Sequence, residues 1–142
     1  MIPVKAAKEL ISANCRPSKT ALLPLQQATG FILAEPVYSP VDTPPFCQSA
    51  MDGYAFSFEQ WDGRSDLAVN GEIQAGSSSS FELHPAEVVR IYTGARLPPG
   101  ADTVVIQEKV MIAGNSISIR DEQLRKGDNV RLQGSQTKKG EI

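Results

Sequence analysis

Pro36-Val37-Tyr38-Ser39-Pro40-Val41-Asp42-Thr43-Pro44-Pro45-Phe46-Cys47-Gln48-Ser49-Ala50-Met51-Asp52-Gly53-Tyr54-Ala55-Phe56-Ser57-Phe58 is the stretch in which the chain changes character. Before Pro36, apolar residues recur at helical spacing. From Val37 onward, β-branched and aromatic residues come in short runs divided by Pro, Gly, Asn and Ser. That switch sets the expected fold class as α+β, mainly β, with N-terminal amphipathic helices followed by a β-rich lobe of short twisted strands.

Upstream of the switch, Val4, Ala7, Leu10 and Ile11 fall on one face of a helix over Pro3 to Asn14, with Lys5, Lys8 and Glu9 largely off that stripe. Cys15-Arg16-Pro17-Ser18 should stop it. A second helical pattern starts after Pro24, with Leu25, Ala28, Ile32 and Leu33 placed to face a core. Gly30 weakens that helix and Pro36 closes it. Downstream, the expected strands are Gly53 to Phe58, Leu67 to Val69, Val88 to Tyr92, Thr103 to Gln107, Val110 to Ile112 and Ser116 to Ile119. Gly114-Asn115 between the last two is a hairpin signal, because both residues accept the positive φ of a tight turn. Pro98-Pro99-Gly100 marks another reversal, and Ser77 to Ser80 reads as a polar surface loop.

At 142 residues the chain can build one ordinary core, or two small lobes that share one. With 41% hydrophobic and 21% charged residues it has the composition of a globular domain, not of a disordered, collagen-like or disulfide-scaffold chain. A net charge of -2 and a pI near 5.4 give no electrostatic footprint for nucleic acid or an anionic membrane, so any anionic ligand needs a local site. Cys15 and Cys47 form no C-x-x-C pair, which points to neither zinc nor thiol redox chemistry. His84 is the only histidine; it cannot build a His-rich metal site, and beside Pro85 it reads as a turn residue. No apolar run approaches the roughly 20 residues that span a bilayer, and no charged start precedes one, so a soluble cytoplasmic protein is expected. The ending Lys138-Lys139-Gly140-Glu141-Ile142, with no helix to cap the last strand, reads as a truncation.

Three clusters are candidates for chemistry. In Asp42 to Ala55, two prolines stiffen the loop, while Ser49-Ala50 and Gly53 permit close backbone approach. Asp52 between them can coordinate Mg²⁺, accept hydrogen bonds from a polar ligand or act as a base; it can equally close an Asx turn with Gly53. In Arg90-Ile91-Tyr92-Thr93-Gly94-Ala95 a strand ends on a hydroxyl and a glycine. Exposed N–H groups and the Thr93 Oγ could hold an oxyanion there, or Thr93-Gly94 simply turns the chain. In Gly127-Asp128-Asn129-Val130-Arg131-Leu132-Gln133-Gly134, Arg131 is either a surface charge or a structural partner for a carboxylate. Trp61, Tyr54, Phe56 and Phe58 are read as core.

Taken in order, Pro44-Pro45-Phe46, Ser49-Ala50-Met51-Asp52-Gly53-Tyr54-Ala55, Arg90-Ile91-Tyr92-Thr93-Gly94-Ala95 with Pro98, Gly100, Ala101 and Asp102, and Asn129-Val130-Arg131 with Gly134 closely resemble the MoeA family of molybdopterin molybdotransferases, which includes the gephyrin E domain. Leu25, Ala28-Thr29-Gly30 and Leu33-Ala34 fit the same family, so the resemblance runs along the whole chain. It implies the last step of molybdenum cofactor synthesis: molybdate inserted into adenylylated molybdopterin, Mg²⁺ assisting and AMP released. It further implies a cytoplasmic homodimer, with molybdopterin adenylyltransferase as the upstream partner and no nucleic acid or membrane involved. On the same ground residues 1–41 are the helical part of subdomain I, 42–128 the β-rich subdomain II, and 129–142 a return segment toward an incomplete subdomain I. The remaining subdomains lie outside this sequence, so the chain alone should be inactive.

Carried over by resemblance, Asp52 and Thr93 are the catalytic positions, Ser49, Gly53 and Gly94 contact substrate, and Asp52 is the Mg²⁺ contact. Two positions depart from the pattern. Cys47 stands where the family more often has an acidic or polar residue, and Ser135-Gln136 replaces a Glu-Asp pair. Two other functions compete with the enzyme. One is a non-catalytic binding or scaffolding module of the same family, which the reading frame beyond Ile142 would distinguish. The other is a hydrolase built on Asp42 and Asp52, for which two carboxylates would have to converge across the intervening prolines.

Overall fold

The computed structural model describes residues 2–16, 19–77 and 81–142. The chain divides into two compact units, Met1–Val37 and Tyr38–Ile142. In the first, α1 spans Val4–Asn14 behind an extended Pro3, whose fixed φ suits the position before a helix. It ends where Cys15 turns extended; Pro17 and Ser18 of the expected stop lie outside the described residues. None of its residues is buried.

The second expected helix is not there. After Pro24 only a 3₁₀ turn forms, over Leu25–Gln27, and Gly30 adopts φ 89°. A window closed by prolines at both ends and broken by a left-handed glycine is too short to pay the nucleation cost of a helix. Leu25, Ile32 and Leu33, read as core-facing, are exposed. One α-helix, not two, therefore precedes the β lobe.

The second unit is mainly β. Its strands are β1 (Gln48–Ser49), β2 (Gly53–Phe56), β3 (Leu67–Ile73), β4 (Glu87–Ile91), β5 (Thr103–Ile106), β6 (Val110–Ala113), β7 (Ser116–Ile119) and β8 (Val130–Arg131). Strands β1 and β8 form a two-stranded ribbon, and the other six form one sheet in the order β5-β2-β4-β3-β7-β6. Strand β2 is antiparallel to both its neighbours, whereas β3 and β4 are parallel. The two edge strands, β5 and β6, are joined only by the 3₁₀ turn Gln107–Lys109. Laid flat, six strands would put those edges about 24 Å apart. The connection reaches at most about 14 Å, so the sheet must curl.

Alternation along the strands sends side chains to two cores. Ala55, Ile73, Val89, Ile91, Ala95, Leu97 and Val104 form one. Tyr54, Phe56, Leu67, Val88, Val105 and Ile117 form the other, with Phe58 and Trp61 packed against it. Burying a side chain of the size of Leu67 or Phe56 contributes about 2 kcal/mol. Strand β2 is buried along its whole length, and Gly53 shows how closely it is packed: a Cβ there would lie 2.0 Å from the Val105 carbonyl oxygen. The β6–β7 hairpin turns at Gly114-Asn115, with Ala113 facing Ser116. Only Gly114 takes positive φ; the Asn115 side chain instead donates to the Val69 carbonyl at 3.2 Å. Ser78 to Ser80 of the expected polar loop lie outside the described residues.

Candidate functional site

The β2–β4 register pairs Gly53 with Ile91. Continued one step outward, it brings Asp52, just before β2, beside the Tyr92-Thr93 exit of β4. There the backbone N–H and the hydroxyl of Thr93 both donate to Asp52 Oδ1, at 2.8 and 2.7 Å. These bonds, the backbone one first, hold the Asp52 carboxyl below the ordinary carboxylate value, and the Arg90 cation adds to them. Asp52 Oδ2 accepts no hydrogen bond from any described residue. The Asp52 carbonyl accepts from the Gln107 N–H at 3.1 Å, so both the backbone and the side chain of this residue are pinned. Thr93 is exposed and Asp52 half-buried.

The other expected site residues serve the frame. Ser49 is fully buried, and its hydroxyl donates to the Met51 carbonyl at 2.5 Å. Its backbone carbonyl accepts from the Gly94 N–H at 2.9 Å. Gly94 has φ 84°, a conformation a side chain would strain, and Gly53 admits the β5 backbone. The proposed oxyanion nest at Thr93-Gly94-Ala95 is spoken for: the three N–H groups go to Asp52, to the Ser49 carbonyl and to the Tyr92 carbonyl. The turn spends its donors on the protein, and Asp52 Oδ2 is the site oxygen left without a hydrogen-bond partner among the described residues.

Asp42 belongs to a different construction. Its Oδ2 accepts from Gln133 Nε2 at 2.8 Å and its Oδ1 from the Lys139 N–H at 2.9 Å. It shares no hydrogen-bond partner with Asp52, and both of its oxygens are committed to donors within the protein, which leaves neither oxygen free for acid-base work. Arg131 is exposed and enters no ion pair among the described residues. Cys15 and Cys47 are both free and exposed. Nearby, Phe46, Phe81, Leu97 and Pro98 help line a groove of about 790 Å³, with Arg96 stacked 4.3 Å from the Phe46 ring centre. Asp52 and Thr93 are not among its walls.

Among the described residues no group of three or more His, Cys, Asp or Glu could cage a metal ion. Mg²⁺ commonly keeps several waters and takes one or two carboxylates together with substrate oxygens. A single fixed carboxylate with one oxygen to spare fits that shared mode. Among the described residues no helix is long and apolar enough to cross a membrane.

Sequence reading quoted Arg90 within its string and Gln107 at a strand end but gave neither a role. Arg90 faces Tyr54 across the β2–β4 pair, its guanidinium carbon 5.0 Å from the Tyr54 ring centre and 5.2 Å from that of Tyr92. Its Nη2 donates to Gln107 Oε1. The alternation Arg90, Tyr92 was visible as a shared face of one strand, but the partner strand was not.

A family model described as the MoeA N-terminal region (domain I and II) matches residues 2–142. The chain is 36% identical over 126 residues to the molybdopterin molybdenumtransferase of Haemophilus influenzae, covering 89% of this chain and 31% of that protein. It is 40% identical over 121 residues to that of a Nostoc species, covering 82% and 28%. A crystal structure of the molybdopterin biosynthesis moeA protein of Pyrococcus horikoshii superposes with a TM-score of 0.83 at 31% identity, over 100% of this chain and 39% of that one. The chain therefore spans about a third of the length of the relatives it matches.

Proposed function

Because the chain belongs to the family of MoeA N-terminal regions, we propose that it supplies one wall of the site where a molybdopterin molybdenumtransferase inserts molybdate into adenylylated molybdopterin. In this reading the wall acts within a homodimer of the complete protein, takes its substrate from a molybdopterin adenylyltransferase, and does no chemistry alone. The observation that carries the reading is the Asp52 carboxylate, braced through one oxygen by Thr93 and left with the other unspent.

Each residue then has a role that follows from its contacts. Asp52, through its unspent Oδ2, would be the residue that holds Mg²⁺. Such an ion would supply neutralisation of phosphate charge at the leaving AMP. Thr93 holds Asp52; with its N–H and hydroxyl proton both committed, it orients the carboxylate and leaves the substrate oxyanion to other groups. Ser49, Gly53 and Gly94 keep the Asp52 turn close to β4 and β5, which is how they serve substrate binding here. A carboxylate fixed in advance needs no reorganisation as charge develops, and that is the source of its rate advantage.

The test compares two proteins. A full-length protein carrying this chain should convert adenylylated molybdopterin and molybdate to active cofactor with release of AMP, and the isolated 142-residue chain should not. Failure of the full-length protein would overturn the reaction. Turnover by the isolated chain would overturn the assignment of one wall only.

A further inference from the structure

Asp52 is anchored twice. Its side chain is held by Thr93 at the exit of β4, and its backbone carbonyl by the N–H of Gln107 at the exit of β5. These exits flank β2 on opposite sides in the sheet; the ladder fixes them against each other as far as Ile91 and Ile106, which both pair with Gly53, and Thr93 and Gln107 lie just beyond that last rung. The side chain that joins them is Arg90. It rises from β4, three residues before Thr93, and its Nη2 reaches Gln107 Oε1 at the start of the turn after β5.

The guanidinium is also held in place. It lies between the rings of Tyr54 and Tyr92, both of which attract a cation through their π faces. Tyr54 is buried, and the Tyr92 hydroxyl donates to Glu72 Oε2 on β3 at 3.3 Å, so both rings are themselves fixed. A planar, stacked guanidinium keeps its donor direction in a way a lysine ammonium does not. None of the ion pairs among the described residues includes Arg90. Its charge is not used as one half of a structural salt bridge.

We propose that Arg90 is a positioning residue for Asp52: by clamping Gln107 to β4 it fixes the two anchors relative to each other, and with them the direction of the free carboxylate oxygen. The inference rests on the role given to Asp52 above and adds a residue to which that reading assigns nothing. Arg90 touches Asp52 through no hydrogen bond, so its effect on the reaction passes through the Asp52 backbone and carboxylate.

A double-mutant cycle in the full-length protein tests it, with hydrogen exchange in this chain as an activity-free readout. Arg90→Met and Arg90→Lys are each expected to lower turnover at saturating substrate by about tenfold with little change in KM. On top of Asp52→Asn, either should cost less than about twofold more, because residues acting as one unit are not additive. In the isolated chain the amides of Gln107 and Thr93 should exchange at least about tenfold faster in Arg90→Met, while those of β7 stay unchanged. If Arg90→Met fails to fold, Arg90→Lys, which keeps the stem and the charge, carries the same comparison. Full multiplication of the Arg90 and Asp52 effects would overturn the inference, as would unchanged exchange at Gln107 and Thr93. Near-normal turnover of Asp52→Asn would overturn the proposed function instead, and the exchange rates would then decide the brace by themselves.

Discussion

Asp42 and Asp52 flank the same Pro44-Pro45 loop, and the protein uses them in opposite ways. Asp42 spends both oxygens inside the molecule, on Gln133 and on the Lys139 N–H. Beside it Thr43 and Thr137 bridge their backbones, and the Gly134 N–H donates to the Pro44 carbonyl at 2.9 Å. Asp42 is thus a clasp that fastens the return segment to the loop. Asp52 spends one oxygen on Thr93 and keeps one. Both carboxyls lie below the ordinary value, and both do so chiefly because backbone and side-chain donors stabilise the charged form. A depressed pKa is therefore common to both carboxylates. What distinguishes Asp52 is its unspent oxygen, on which the proposed role rests.

The largest way to disturb the contrast is through the glycines beneath each carboxylate. In Gly53→Ala the new Cβ meets the Val105 backbone, 2.0 Å from its oxygen, and a sheet backbone cannot give way. We expect a loss of about 3 kcal/mol in urea unfolding of the isolated chain. In Gly134→Ala the new Cβ meets side-chain atoms and no backbone, Lys138 Cγ at 3.3 Å and Asp42 Cγ at 3.5 Å, at φ 66°, and the expected loss is about 1 kcal/mol. Equal losses would mean that the Asp52 side is no more tightly built than the clasp. Next comes Thr93→Val, which keeps the shape and the backbone N–H but removes the hydroxyl bond to Asp52. Turnover of the full-length protein should fall about tenfold, while unfolding loses no more than about 1.5 kcal/mol, the size of one hydrogen bond to a charged group. Unchanged turnover would show that the backbone bond alone orients Asp52.

The smallest effect is on acid titration. Asp62 takes donors from Ser65 Oγ, the Ser65 N–H and the Arg64 N–H, which pull its carboxyl down to about 2. A folded-state value below the unfolded one makes the contribution complete above the ordinary carboxylate value of 3.8 and removes it as pH falls through the folded value. For Asp62 that loss is centred near pH 2. Carboxyl carbon shifts followed against pH in the isolated chain should put Asp62 at about 2 and both Asp42 and Asp52 below 3.8. Asp52 titrating at or above 3.8 would mean that the Thr93 brace does not form in solution.

What could be read in the sequence was local. Ser116–Ile119 appears as a strand where its alternation places it, and Val110–Ala113 extends the expected run by one residue. The β2 run stops at Phe56, because Phe58–Gln60 coils into a 3₁₀ turn. Strand β3 continues past Val69 to Ile73, since Gly71 at φ 83° absorbs a register shift in its pairing with β4. Two-residue strands such as β1 and β8 show no period and could not be found. The Asp52 and Thr93 strings were each visible, but their contact depends on the Gly53–Ile91 register, which joins distant parts of the chain. The oxyanion nest failed for the same reason. Whether an N–H is free depends on its acceptor, and Ser49 and Asp52, which take the Gly94 and Thr93 donors, lie far away in sequence.

The most direct measurement sets Asp52→Asn beside Asp42→Asn in the full-length protein, reading turnover at saturating Mg²⁺ and unfolding temperature for each. At position 52 one amide oxygen can still accept both Thr93 bonds, so the fold should be unchanged while the second atom becomes a donor that cannot hold a cation. Turnover should fall on the order of 10²-fold. At position 42 both oxygens face donors, and an amide satisfies only one of them, so the unfolding temperature should drop while turnover stays within about twofold of the unsubstituted protein. Near-normal turnover in a folded Asp52→Asn protein, or an equal loss of turnover from both substitutions, would contradict the account.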